Sequence, residues 1–218
     1  MNLGILGGTF DPVHFGHLRL AEEARELWPL DRVLFVPAQL NPLKRDQSAS
    51  SGEHRLAMLQ AALGENPAFA SVDLELARPG PSYTVDTLRA LHALCPHDRL
   101  VLILGMDAFR LFPQWKDRAA ILSLAHLLVV GRPGEAVIDP QSVVGIESPQ
   151  SICYDQGLDE YRTDTGVLLK VRTTTSLDIS ATAIRSRVAA GGSIRYLTPP
   201  AVIRYIEQHG LYRSSVGR

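Results

Sequence analysis

Runs of consecutive apolar residues recur at Leu3–Leu6, Arg32–Val36, Leu100–Leu104 and Leu127–Val130, each bounded by Gly, Pro or charged residues. A strand with no polar face is buried on both sides, the habit of strands in a parallel sheet. Between these runs the apolar positions switch to helical spacing. Gly16 to Trp28 places Leu20, Ala21, Ala24 and Leu27 on one side, and Arg55 to Leu63 and Val85 to Leu94 are similarly one-sided. Strand alternating with helix calls for right-handed crossovers, which lay helices on both faces of a sheet. The pattern predicts an α/β fold, a doubly wound parallel sheet whose ligands lie outside the carboxyl ends of the strands.

The stretch from Arg132 to Thr165 carries Pro133, Pro140 and Pro149 with little periodicity, and it reads as a long connection or insertion. A further strand-like run follows at Val167–Val171; Ser180 then opens a helix through Arg185, and Pro199-Pro200 opens the last one. The 218 residues can bury one full core, so the expectation is one domain over 1–218, its core over about 1–178 and a small C-terminal helical part over about 179–213. The 22 basic and 23 acidic residues are interspersed, which leaves no basic stripe for nucleic acid. No apolar run approaches a membrane span, no signal-peptide pattern opens the chain, and Cys95 and Cys153 stand far apart outside any CxxC spacing. The expected location is cytoplasmic, without nucleic-acid or membrane partners. A homo-oligomer is compatible with the sequence, which does not set the assembly state.

Directly after the first run comes Gly7-Gly8-Thr9-Phe10-Asp11-Pro12-Val13-His14-Phe15-Gly16-His17, and then a helix. Glycines admit a ligand close to the backbone, and the helix N-terminus beyond them offers unsatisfied N–H groups to an anion. This is a phosphate cradle by construction. It is not a P-loop, since no Gly-Lys-Ser/Thr follows, and the GxGxxG spacing of a dinucleotide fold is absent. His14 and His17 can turn both imidazoles to one side. On spacing alone they suit anion contacts, a metal pair, or plain polar residues at a helix start. No third ligand sits at conventional zinc spacing, so no protein-held metal is expected.

The segment Gly8 to His17 matches in full Gly-x-Phe-Asp-Pro-x-His-x-Gly-His, and it resembles the signature of the HxGH nucleotidyltransferases, which include the bacterial nicotinate mononucleotide adenylyltransferases. The resemblance runs over nearly the whole chain, Leu3 to about Tyr212, and implies a Rossmann-like nucleotidyltransferase fold. It also implies that His14 and His17 contact the phosphates of ATP, with His17 stabilising charge on the transferred group and Gly7, Gly8, Thr9 and Phe10 along the nucleotide.

Further segments share the resemblance. Ile179-Ser180-Ala181-Thr182-Ala183-Ile184-Arg185 is similar to Ile-Ser-Ser-Thr-x-x-Arg, with Ala181 in place of a serine, and implies a phosphate clamp of Ile179, Ser180, Thr182 and Arg185. Standing alone, it would read as an N-cap and a solvated arginine. Gly105 and Asp107 resemble a Gly-x-Asp that holds ribose hydroxyls; from spacing, Asp107 suits a helix cap equally well. Lys44 stands where the family carries Pro-His-Lys, with Leu43 at the histidine position, and it either meets a phosphate or is a solvated loop lysine. For the acceptor, Ser82, Tyr83 and Thr84, then Trp115, then Arg132 lie in segments similar to those that hold nicotinate mononucleotide. A helix N-terminus favours the carboxylate that separates nicotinate from nicotinamide, and Trp115 can stack on the pyridine ring, although a lone tryptophan more often packs in a core.

The implied reaction joins ATP, which carries Mg2+, to nicotinate mononucleotide, releasing pyrophosphate. Its nucleophile is already an anion, in keeping with the lack of any nucleophile-and-base motif. Competing readings are another acceptor such as nicotinamide mononucleotide or pantetheine phosphate, a non-catalytic nucleotide-binding module, and a zinc hydrolase built on His14 and His17.

Overall fold

The apolar runs pair side by side in the computed structural model, which describes residues 1–40, 50–144 and 152–213. Six strands are parallel: β1 (Asn2–Gly8), β2 (Arg32–Pro37), β3 (Phe69–Ser71), β4 (Arg99–Gly105), β5 (Ala125–Gly131) and, after an antiparallel hairpin of β6 (Ile152–Asp155) and β7 (Glu160–Thr163), β8 (Leu168–Thr173). Their order across the sheet is β3-β2-β1-β4-β5-β8-β7-β6. The chain therefore begins in the middle, steps outward through β2 and β3, and returns to place β4 on the other side of β1. The carboxyl ends of β1 and β4 flank the crevice where such a sheet binds its ligand.

Eight α-helices fill the connections and the C-terminal part among the described residues: α1 (Phe15–Leu27), α2 (Gly52–Leu63), α3 (Thr84–Leu94), α4 (Met106–Arg110), α5 (Arg118–Leu124), α6 (Pro140–Val144), α7 (Ala181–Ala189) and α8 (Pro200–Gln208). Alternate residues of β4 go to opposite layers. Leu100, Leu102 and Leu104 pack with Val85, Leu88 and Leu91 of α3 and with Ile121 and Leu122 of α5. Val101 and Ile103 pack with Ala21 and Ala24 of α1, Met58 and Leu59 of α2, and Ile184, Val202 and Ile206 of the two C-terminal helices. Those last helices thus share the α1 layer of the core.

Two expectations change in detail. The sheet is parallel only through β8, because β7 pairs antiparallel with both β8 and β6 and makes it mixed. The stretch 132–165, expected as an irregular connection, carries α6 and this hairpin. The reason is exposure: in β6 only Ile152 is buried, so no apolar run marks the strand. The three-residue β3 was too short to register as a run.

Candidate active site

The loop after β1 enters the crevice in a tightly packed form. A Cβ on Gly8 would come within 3.0 Å of the Phe10 ring, so only glycine lets that ring fold back beneath the loop. Phe10 takes φ of 50° and is fully buried, edge-on to His17 at 5.0 Å and against Phe35 at 5.7 Å. His14 caps α1 and stacks on His17, ring centroids 3.7 Å apart. The His14 N–H donates to His17 Nδ1 at 3.2 Å. That bond occupies His17 Nδ1 as an acceptor, so the proton of the neutral ring sits on Nε2. Burial pushes the pKa of His14 down to about 4, and burial together with His14 holds His17 well below the usual histidine range. Both rings are therefore neutral near pH 7, and His14 Nδ1 is buried with no partner.

The clamp segment arrives from across the chain. Ser180 caps α7, its Oγ accepting from Ala183 N at 3.1 Å, so the capping role is real. Arg185 does not stand in solvent: its Nη1 donates to the Asp11 carbonyl at 2.8 Å, and its Nη2 to Thr182 Oγ1 at 3.3 Å. The backbone of Ile179 lies 3.8 Å from where a Gly16 Cβ would be. The amino ends of α1 and α7 thus meet over the first loop, and both offer N–H groups there. The C-terminal part secures this meeting, with Thr198 Oγ1 donating to Val13 O at 2.7 Å and Phe15 N to Leu197 O at 3.1 Å.

On the β4 side, Gly105 rather than Asp107 caps α4. Asp107 is exposed at the carboxyl edge of the sheet, one oxygen accepting from Ala108 N at 2.8 Å. Lys44 lies outside the described residues. Arg132 follows β5 at the same edge, exposed, with its backbone N–H on Glu135 Oε2 at 3.1 Å.

Two of the segments expected to hold the acceptor, at Ser82 to Thr84 and at Trp115, lie close together. Tyr83 caps α3 and Thr84 begins it, while Ser82 is pinned to the end of β2: its N–H donates to Leu40 O at 2.8 Å and its Oγ accepts from Gln39 N at 2.9 Å. Beneath this turn, buried Glu75 accepts from Thr87 Oγ1 at 2.6 Å, and burial pushes its carboxyl up, against hydrogen bonds from Thr87 and Ser82. Trp115 is half-buried, 5.6 Å from Phe112, its indole N–H buried without a partner. The next residue, Lys116, reaches back to α3. Its Nζ sits 4.5 Å from the Tyr83 ring centroid and 3.1 Å from Asp86 Oδ2.

Three contributors escaped the sequence reading. Asp11, 2% exposed, receives Tyr212 Oη at 2.6 Å and Ser50 N at 3.1 Å. Arg55, also 2% exposed, donates Nη1 to Thr9 O at 2.9 Å and Ala38 O at 2.7 Å and Nε to Ser50 O at 3.0 Å, tying α2 to the ends of β1 and β2. Glu23 of α1, likewise buried, accepts from Thr175 N at 2.7 Å beyond β8. Arg55 did carry a signal: it shares the helical stripe of Met58, Leu59 and Leu63, so it had to turn inward.

A switch-point crevice with two helix amino ends and a stacked histidine pair above a glycine loop defines a nucleotidyltransferase, and residues 5–187 match the model of the cytidylyltransferase-like family. Curated relatives narrow this. A protein of Syntrophotalea carbinolica described as a probable nicotinate-nucleotide adenylyltransferase is 46% identical over 98% of both chains, and one of Roseiflexus sp. with the same description is 45% identical over 97% of this chain and 98% of its own. The chain belongs to the nicotinate-nucleotide adenylyltransferase family. The nicotinic acid mononucleotide adenylyltransferase of Plasmodium falciparum, solved in complex with NaAD, shares the fold at a TM-score of 0.70 over 97% of each chain, with 20% identity.

Proposed function

We propose that this chain transfers the adenylyl group of ATP to nicotinate mononucleotide, yielding nicotinate adenine dinucleotide and pyrophosphate in NAD synthesis. The observation that carries the reading is the pair of neutral histidines stacked where α1 and α7 meet at the switch point. A phosphate oxygen of the acceptor attacks the α-phosphorus of ATP, and the bond to the bridging oxygen of pyrophosphate breaks on the opposite side. Mg2+ enters as part of the ATP substrate. The chain aligns two polyanions and stabilises charge on the α-phosphate and the leaving group. His17 supplies an Nε2–H donor to the transferred group and His14 a second ring beside it. Arg185, Thr182, Ser180 and the N–H groups after Ile179 take the β- and γ-phosphates, with Lys44, which follows β2 in the sequence. Gly7 to Phe10 and Gly105 line the nucleoside, and Asp107 takes ribose hydroxyls. Ser82 to Thr84, Trp115 and Arg132 take the acceptor. Two free thiols and the absence of a membrane-length apolar helix among the described residues suit a cytoplasmic enzyme.

The test is pyrophosphate release from MgATP with nicotinate and nicotinamide mononucleotides offered in parallel. Release dependent on the nicotinate form supports the reading. Release with neither acceptor, from protein that binds ATP, would make this a nucleotide-binding module.

A further inference from the structure

Asp86 stands in the first turn of α3, where its carboxylate offsets the partial positive charge that the helix end presents to a ligand. That is favourable for the helix, but it opposes an anionic ligand at the same end. Two cations answer Asp86. Arg89 Nη1 lies 3.7 Å from Oδ1, yet Arg89 is already held by Asp117 at 2.5 Å. Lys116 Nζ lies 3.1 Å from Oδ2 and also covers the Tyr83 ring. It follows Trp115 directly, so it is a cation shared by both segments assigned to the acceptor. At 49% side-chain exposure it remains free to turn from Asp86 toward a bound carboxylate.

We propose that Lys116 is a specificity-determining residue: by neutralising Asp86 it keeps the α3 end attractive to the acceptor carboxylate, and so favours the nicotinate ribonucleotide over its amide. This rests on the acceptor assignment above. Loss of the ammonium leaves Asp86 facing the carboxylate of nicotinate, whereas the neutral carboxamide is little affected.

The experiment compares kcat/KM for the two mononucleotides in the wild type, Lys116→Met, Lys116→Arg and Lys116→Met combined with Asp86→Asn. Lys116→Met is expected to lower the nicotinate-to-nicotinamide ratio about tenfold, the size of one unit charge a few ångströms away in largely water-screened surroundings. Lys116→Arg should hold the ratio within about twofold, and the added Asp86→Asn should recover much of the loss, since removing both charges restores the local balance. A merely structural role would depress both acceptors alike. An unchanged ratio in Lys116→Met therefore overturns the proposal, even if activity falls, as does a wild type with no preference. A wild type that uses neither acceptor fails earlier and takes the functional reading with it.

Discussion

At the scale of single residues, one nitrogen of the His17 imidazole is occupied by the His14 N–H, which leaves the other as the donor that the proposed reaction uses. The His14 backbone donor fixes the tautomer of His17, and burial keeps the ring neutral, so in the role proposed for it the Nε2–H would need no reorganisation as charge develops on a phosphate. His17→Ala should leave the circular dichroism spectrum unchanged and lower turnover by roughly two to three orders of magnitude, the usual loss when one preorganised donor is removed. Near-normal pyrophosphate release would take His17 out of the reaction. Both histidines could be read from the sequence because three positions at a helix start bring two side chains together after a glycine loop. Their stacking and suppressed protonation could not, since these depend on Phe10 and on the C-terminal segment closing over them. Ser180 shows the opposite case: its capping geometry was legible, and it leaves the hydroxyl hydrogen available to a phosphate.

At the scale of elements, five strands could be placed from their apolar runs and three helices from their one-sided period, while the two C-terminal helices were marked by the residues that open them, Ser180 and Pro199-Pro200. What failed were the hairpin at the sheet edge, whose exposed β6 carries no apolar run, and the buried polar ties under the first loop, whose partners are distant in sequence. The tie between Tyr212 and Asp11 spans 201 positions, and it fastens the segment after α8 to the loop that carries His14. Burial, then the Asp11 hydrogen bond, pushes the Tyr212 hydroxyl up, so it remains a donor. In Tyr212→Phe, Asp11 keeps Ser50 N but loses its hydroxyl donor. The expected cost is about 1–3 kcal/mol in urea unfolding, the usual penalty for an under-satisfied buried acceptor. Turnover should fall as well, because Asp11 lies between the glycines and the histidines. Unchanged stability would mean that the C-terminal part rests on the loop by apolar contact alone.

For the whole molecule, the cost of holding imidazoles neutral should appear in its stability as pH changes. An unfolded histidine titrates near 6.5, whereas folded His14 titrates at about 4, so between these values the unfolded chain binds the additional proton. This contribution is fully present above about pH 6.5, declines as pH falls, and is gone below about pH 4, amounting to at most about 3 kcal/mol from His14. His17 and His126, both lowered first by burial, act in the same direction. Glu75, raised by burial, acts in the opposite one: its folded carboxyl keeps a proton at higher pH, which favours the native state as the pH falls. The bare pH dependence of unfolding therefore mixes signs, and the informative quantity is the difference between the wild type and His14→Asn. Unfolding free energies of the ligand-free proteins should converge between about pH 6.5 and pH 4, because the wild type alone bears the His14 penalty. Parallel curves would show that His14 is not held neutral. With MgATP bound, the polyphosphate should raise both histidines, so binding near pH 6 should take up protons, and calorimetry in buffers of different ionisation enthalpy should detect that uptake.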